Sequence, residues 1–464
     1  MRIALFPIAL LLLFIACQPS PQPMTVTAKS AATRPSAPDW AKNAVLYQCN
    51  VRQFSPSGRL SAVQQALPRL KTLGIDVLWL MPVHPVGKER RKGSLGSPYS
   101  VQDYFAVNPD LGTFDDFKAL VQAAHAEGIK VILDWVPNHT SWDAVWKSKH
   151  PEYYSRYNGD FTVPLNEHGE PITDWSDVCD LDYGNPALRR AMIDAMQFWL
   201  RQADIDGFRV DMAGLVPNDF WAEARPALDS VKQVFMLAEW QDEPAHFRSA
   251  FNANYGWKWK DVTRDIAAGK RTAHALDSLL EELDHFYPEG YYQLYFTQNH
   301  DENAHNGTEA ELYGPAADAF NVLEFTWQGI PMLYNGQEDN LNKRLAFFDK
   351  DPISWGAMDK TSFYQKLTGL RHNNQAVWSG NDGGKLLKIP SNSDDYTYVF
   401  FREKNGDKLL VILNLSAESR VCALQAPEIA RGAYTDLFGN STVQVTKDMD
   451  LRLNPWGYLV LTNK

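Results

Sequence analysis

Four stretches of this chain share one design: a short apolar, β-branched or aromatic run that ends abruptly in acid, amide or imidazole side chains. They are VILDWVPNH (Val131–His139), GFRVDMA (Gly207–Ala213), VFMLAEW (Val234–Trp240) and YYQLYFTQNHD (Tyr291–Asp301). Charged groups rarely sit in a buried strand unless they are paired. Parallel strands that all deliver polar groups at their C-terminal ends describe a (β/α)8 barrel, whose site lies on that face. The intervening segments agree. Leu60–Leu73 has helical spacing and is stopped by Gly74, Thr113 to Asp116 opens a helix with an N-cap and an acidic first turn, and Pro186–Arg201 is strongly periodic.

Within GFRVDMA, Arg209 and Asp211 stand two residues apart on a strand and so point to the same side. An arginine there can hold the carboxylate ionised, as a carboxylate nucleophile needs. A structural ion pair at a strand end would use the same two residues. Glu239 closes the next strand. Adjacent strand ends lie about 4.8 Å apart, so the two carboxyl groups can face each other across one bound group.

In order and spacing these segments resemble the four signature regions of the α-amylase family of glycoside hydrolases. CDLDYGNP (Cys179–Pro186) resembles the family's fifth signature, and GIPMLYNGQE (Gly329–Glu338) its eighth strand. The resemblance implies an α/β fold: a TIM barrel, a short domain B insertion after strand three, and a C-terminal antiparallel β-sandwich domain. A retaining glycosidase uses one carboxylate as nucleophile and a second group as acid/base about 5 Å away. Strand geometry and the resemblance agree on Asp211 as nucleophile and Glu239 as acid/base. By resemblance, Asp301 is the third carboxylate, supporting charge at the transition state, and Arg209 is the arginine beside the nucleophile. His139 and His300 would contact hydroxyls of the same sugar, and Tyr99 would form the platform beneath it. Asp134 matches the acid of the first signature, either bracing the site or making a structural ion pair at the barrel top.

Many relatives bind calcium through residues at the positions of Asn138 and Asp182, both oxygen donors suited to that ion. The family's Lys-His pair after the nucleophile is absent, since Met212-Ala213-Gly214-Leu215 stand there, which leaves calcium in question. No organic cofactor is expected. The implied activity is retaining hydrolysis of α-1,4-glucosidic bonds in starch or maltodextrins. An α-glucosidase, a cyclomaltodextrinase or a glucanotransferase would use the same scaffold, and Met212 is diagnostic of neither α-1,4 nor α-1,6 linkages. A non-catalytic glucan-binding barrel would have lost acids that this chain keeps.

The N-terminus suggests export. Ile3 to Ala16 is apolar, too short for a comfortable membrane span, and Phe14-Ile15-Ala16-Cys17 resembles a bacterial lipobox with Cys17 as the lipidated residue. The expected organisation is therefore a signal peptide over 1–17, an extended Pro/Ser/Thr/Ala-rich tether over 18–38, and a barrel over 39–384 with an insertion at 139–183. A β domain over 385–464 follows. A cell-envelope lipoprotein, or else a periplasmic or secreted protein, fits this order. The net charge of −11 without a basic patch argues against nucleic acid. Cys49, Cys179 and Cys422 are scattered, with no CxxC spacing, and read as small buried side chains.

Overall fold

The computed structural model describes residues 34–464. The signal peptide, Cys17 and residues 18–33 of the expected tether lie outside the described residues. Eight parallel strands close into a barrel: β1 (Leu46–Cys49), β2 (Val77–Leu80), β3 (Lys130–Trp135), β4 (Gly207–Val210), β5 (Phe235–Ala238), β6 (Ala253–Tyr255), β7 (Tyr292–Tyr295) and β8 (Ile330–Tyr334). Strand residues alternate between two cores, as the period of two requires. Leu46, Val77, Trp79, Ile132, Phe235 and Leu237 fill the barrel, while Tyr47, Leu78, Leu80, Val131 and Leu133 pack outward under the helices.

The helices follow the periodicity of the sequence. Leu60–Leu73 ends at Gly74 in the left-handed region (φ 89°), and Thr113 and Asp116 form a reciprocal capping box at the start of Phe114–Ala126. The first strand stops at Cys49, and Val51–Phe54 turns directly into a helical loop.

The folded part also begins earlier than residue 39. Arg34 Nη1 donates to the Gly290 carbonyl at 2.8 Å, and its guanidinium lies 5.1 Å from the Phe247 ring centroid. Residues 34–38 are thus held on the barrel by hydrogen bonds and an aromatic face that composition does not reveal.

The segment expected as an insertion after β3 is pinned at its base by antiparallel pairing of His139–Ser141 with Val178–Asp180. Beyond the barrel, residues 387–462 form a six-stranded antiparallel sheet and a two-stranded partner. One face of the larger sheet (Val399, Phe401, Leu410, Ile412) meets Cys422 and Leu424 of the smaller one. Its other face (Tyr398, Phe400, Leu409, Val411) joins the core shared with the barrel helices. Cys49, Cys179 and Cys422 are all free and buried.

Candidate active site

The C-terminal ends of the barrel strands converge on Arg209, which is fully buried. Its Nη1 donates to Asp134 Oδ1 at 2.8 Å and to Asp211 Oδ1 at 3.1 Å, and Nε donates to the Tyr255 hydroxyl at 3.1 Å. Nη2 forms an ion pair with Glu239 Oε1 at 2.8 Å. The other oxygen of Glu239 accepts from the backbone N–H of Met212 at 3.0 Å. Met212 is left-handed (φ 44°), a rare conformation for a bulky residue, and it aims that N–H at the acid.

Asp211 and Glu239 therefore share one guanidinium, and one of them also binds the residue following the other. Gly207 makes this approach possible: a Cβ there would lie 2.0 Å from the Phe235 carbonyl oxygen, so only glycine lets β4 sit this close to β5.

The electrostatics differ from the simple expectation that Arg209 keeps Asp211 low. Burial and the facing Glu239 carboxylate push the Asp211 carboxyl well above its usual range, and Arg209 opposes them. Asp134, equally buried, is raised to about 6 against the same arginine. One positive charge is divided among three acids, so this group retains a proton that isolated carboxylates would lose.

A second network fixes His300. Gln48 Oε1 accepts from the His300 backbone N–H at 3.2 Å, which leaves the Gln48 amide nitrogen to donate to His300 Nδ1 at 2.7 Å. Burial lowers the His300 pKa to about 3, so the ring is neutral and carries its proton on Nε2. Nε2 donates to the Tyr99 hydroxyl at 2.7 Å, and that hydroxyl donates to Asp134 Oδ2 at 3.0 Å. Asp134 also accepts from Trp79 Nε1 at 3.1 Å, so its bonds brace the site from below.

Asp301 Oδ2 lies 3.4 Å from His300 Nε2. Burial raises the Asp301 carboxyl while Arg209 opposes the shift. The next residue, Glu302, is anchored by Lys260 at 2.9 Å and Arg264 at 2.5 Å, which fixes the turn presenting Asp301. Tyr99 stacks on His300 (5.4 Å) and on Phe347 (6.2 Å). His139, with its pKa lowered to about 4 by burial, faces Trp175 at 5.8 Å.

These groups open into a cleft of about 380 Å³ lined by Tyr99, His139, Asp211, Glu239, His300 and Asp301, together with Met212, Lys92, Trp175, Asp177, His305, Phe347 and Phe348. That volume suits a small ligand with a few convergent polar groups. The structure thus brings together every candidate named for nucleophile, acid/base, third acid and sugar contact. Asp134 and Arg209 lie just beneath the cleft floor.

Sequence reasoning missed Gln48, a buried amide inside the otherwise apolar run YQC, which carries a readable signal. Lys92, Trp175, Phe347 and Phe348 come from loops without periodicity and gave none.

The calcium candidates behave differently from the acids. Asn138 is buried beside His139 Nδ1, whereas Asp182 is exposed and its Oδ1 accepts from Gly184 N at 2.8 Å, within its own turn. Among the described residues no three His, Cys, Asp or Glu side chains gather as a metal-binding group. Asn138 and Asp182 offer two side-chain oxygen donors, where calcium takes about six to eight oxygens.

Comparison with known proteins agrees with this geometry. The family described as "Alpha amylase, catalytic domain" matches residues 34–179 and 172–366. That described as "Maltogenic Amylase, C-terminal domain" matches residues 388–460. The chain is 29% identical over 453 residues to the protein named Alpha-amylase MalA of Haloarcula japonica, covering 92% of this chain but only 64% of that protein's length. Among solved structures, a noncanonic maltogenic alpha-amylase AmyB from Thermotoga neapolitana superposes with a TM-score of 0.82 at 30% identity, covering 91% of this chain and 99% of the other. An alpha-amylase from Lactobacillus plantarum gives 0.80 at 30% identity, with 92% and 100% covered.

Proposed function

The chain belongs to the α-amylase family of glycoside hydrolases, and on that premise we propose that it hydrolyses α-1,4-glucosidic bonds of starch or maltodextrins with retention of configuration. The observation that carries this reading is the shared guanidinium. Arg209 holds Asp211 and Glu239 on neighbouring nitrogens, 3.1 and 2.8 Å away, so the two carboxyl groups are close neighbours. That arrangement suits attack by one and proton transfer by the other across a single bond.

In this mechanism Asp211 attacks the anomeric carbon while Glu239 gives its proton to the departing oxygen. A covalent glycosyl-Asp211 ester forms, and Glu239 then takes a proton from the water that opens it. Burial and the facing Glu239 carboxylate raise the Asp211 carboxyl, which favours one proton shared within the site. Asp301, together with the net negative charge left on the acids around Arg209, faces the sugar as it becomes cationic. Neutral His300, whose Nε2–H is held by the Tyr99 hydroxyl, and His139 line the cleft beside the Tyr99 ring, where sugar hydroxyls can reach them.

The decisive experiment is proton NMR of maltotriose or maltopentaose hydrolysis in its first minutes. The α-anomer appearing first supports the double displacement; the β-anomer first overturns it. Cyclomaltodextrinase or transferase action on the same scaffold would show as preferred opening of cyclic substrates or as products longer than the input.

Export with a lipid anchor at Cys17 belongs to the same proposal. It predicts that Cys17→Ala changes the protein from membrane-associated to freely soluble in cell fractions.

A further inference from the structure

Between β2 and the helix Phe114–Ala126, residues 87–96 form a strap over the rim of the cleft. One end is fixed to the segment after β3. Lys88 N donates to Asp143 Oδ2 at 2.9 Å, and the Arg90 guanidinium lies 3.5 Å from the Trp142 ring centroid. The other end is fixed to the loop after β8. Leu95 N donates to the Phe348 carbonyl at 3.0 Å, and Ser94 N and Oγ both donate to Asp349 Oδ1, at 2.7 and 2.6 Å. Gly93 has φ +62°, and a Cβ there would lie 2.6 Å from Phe348 Cβ, so the strap lies against Phe348 as only glycine allows.

Lys92 spans the gap between these anchors. Its Nζ pairs with Asp177 Oδ1 at 3.1 Å, donates to the Asp174 carbonyl, and sits 5.8 Å from the Phe348 ring centroid. Asp177 is nearly fully buried, and a charge so placed needs its partner. Lys92, Asp177 and Phe348 all line the cleft, together with Phe347 and Trp175, and Phe347, Phe348, Lys92 and Asp177 touch in sequence along it.

The side on which this wall stands decides its effect. Phe347 stacks on Tyr99 and lies 6.3 Å from His300, the groups proposed to sit against the sugar that bonds to Asp211. Glu239, which protonates the departing sugar, is tied instead to Met212, and none of the strap's bonds reach either residue. Resting on the function proposed above, we infer that the Lys92–Asp177 latch closes the cleft behind the sugar that is transferred, so that the enzyme removes one or two glucose units from the non-reducing end of a chain. The departing side stays open to glucans of any length.

The test uses maltoheptaose with a fluorescent label at its reducing end, alone or with a 4,6-O-ethylidene block on its non-reducing glucose. The native protein should shorten the unblocked substrate by one or two units at a time and cleave the blocked one about a hundredfold more slowly, as a misfit in a closed pocket does. Lys92→Met and Asp349→Ala loosen the strap at opposite anchors. Each should raise the blocked-to-unblocked rate ratio about tenfold and give a mixed ladder of labelled products. The use of a ratio cancels any loss of folded protein.

Equal cleavage of both substrates by the native protein overturns the latch while leaving the glucan hydrolase reading intact. An unchanged ratio in both variants overturns it too. Release of no sugar from either substrate overturns the latch together with the reading on which it rests.

Discussion

Two fully buried arginines sit at opposite regions of this protein, and they are used in opposite ways. At the seam between barrel and C-terminal domain, Arg402 meets, among the described residues, only backbone carbonyls: Gly384 at 2.8 Å, Thr326 at 2.9 Å, Trp327 at 2.7 Å and Trp378 at 2.9 Å. No acid among the described residues offsets its burial, and its pKa falls to about 9. At the barrel mouth, Arg209 meets Asp134, Asp211 and Glu239, and its pKa is driven well above the ordinary arginine value. The first cation locks chain segments together through a rigid fork of donors. The second is outnumbered by acids, which leaves net negative charge and a retained proton where a sugar cation would form. Burial of an arginine therefore says little by itself; the partners decide whether it serves the fold or the reaction.

The largest expected effect separates the two. Asp211→Asn should lower kcat by about 10⁴-fold or more. It should leave Tm unchanged or higher, because burial and Glu239 already disfavour the charge at that position. Arg402→Met should do the reverse. Four carbonyls lose their donor, each buried orphan costing about 1–3 kcal/mol, so Tm drops by several degrees while kcat per folded molecule holds. Calorimetry and active-site titration of both variants would test the contrast. If Arg402→Met lost activity without losing stability, the division of roles between the two arginines would be wrong.

A smaller effect probes the retained proton. Asp134 is raised from 3.8 to about 6 in the folded protein. A carboxyl whose folded pKa exceeds its unfolded one holds its proton more tightly when folded. Its contribution to stability is present in full below about pH 4 and is lost as pH rises through about 6. Asp134→Asn should flatten the pH dependence of Tm across that interval. A slope equal to that of the native protein would show that Asp134 does not carry the proton.

The barrel is legible in the sequence because its strands pair a buried apolar run with a polar C-terminal end, a pattern that a parallel barrel produces on strand after strand. Asp211 and Glu239 can be placed because strand spacing and alternation are fixed lengths. Their protonation cannot, since it depends on how many acids share Arg209, and Asp134 joins them from β3. The end of β1 is not legible, because composition does not distinguish a strand from the helical turn Val51–Phe54 that follows it. The strap and the aromatic wall of Phe347 and Phe348 leave no trace because loops are positioned by contacts distant in sequence, such as Ser94 with Asp349. Arg34 reads as tether for the same reason: its partners, Gly290 and Phe247, lie more than two hundred residues away.

Gln48 offers the finest test, because it touches the site only through His300. Its amide is held by the His300 backbone and in turn sets which ring nitrogen carries the proton. Gln48→Leu keeps the shape of the barrel floor but removes the donor at Nδ1, so the ring is free to adopt the other tautomer and present an acceptor to Tyr99 and to the sugar. One neutral hydrogen bond is worth about 1 kcal/mol, so KM or kcat/KM should worsen by roughly five- to tenfold. Nitrogen-15 NMR of the histidine ring supplies the readout that packing alone would not move: Nε2–H dominates in the native protein, and a mixture appears in the variant. Gln48→Glu, which accepts where glutamine donates, should worsen KM further than leucine if the tautomer matters. If it does no worse than leucine, the role of Gln48 is confined to filling the barrel.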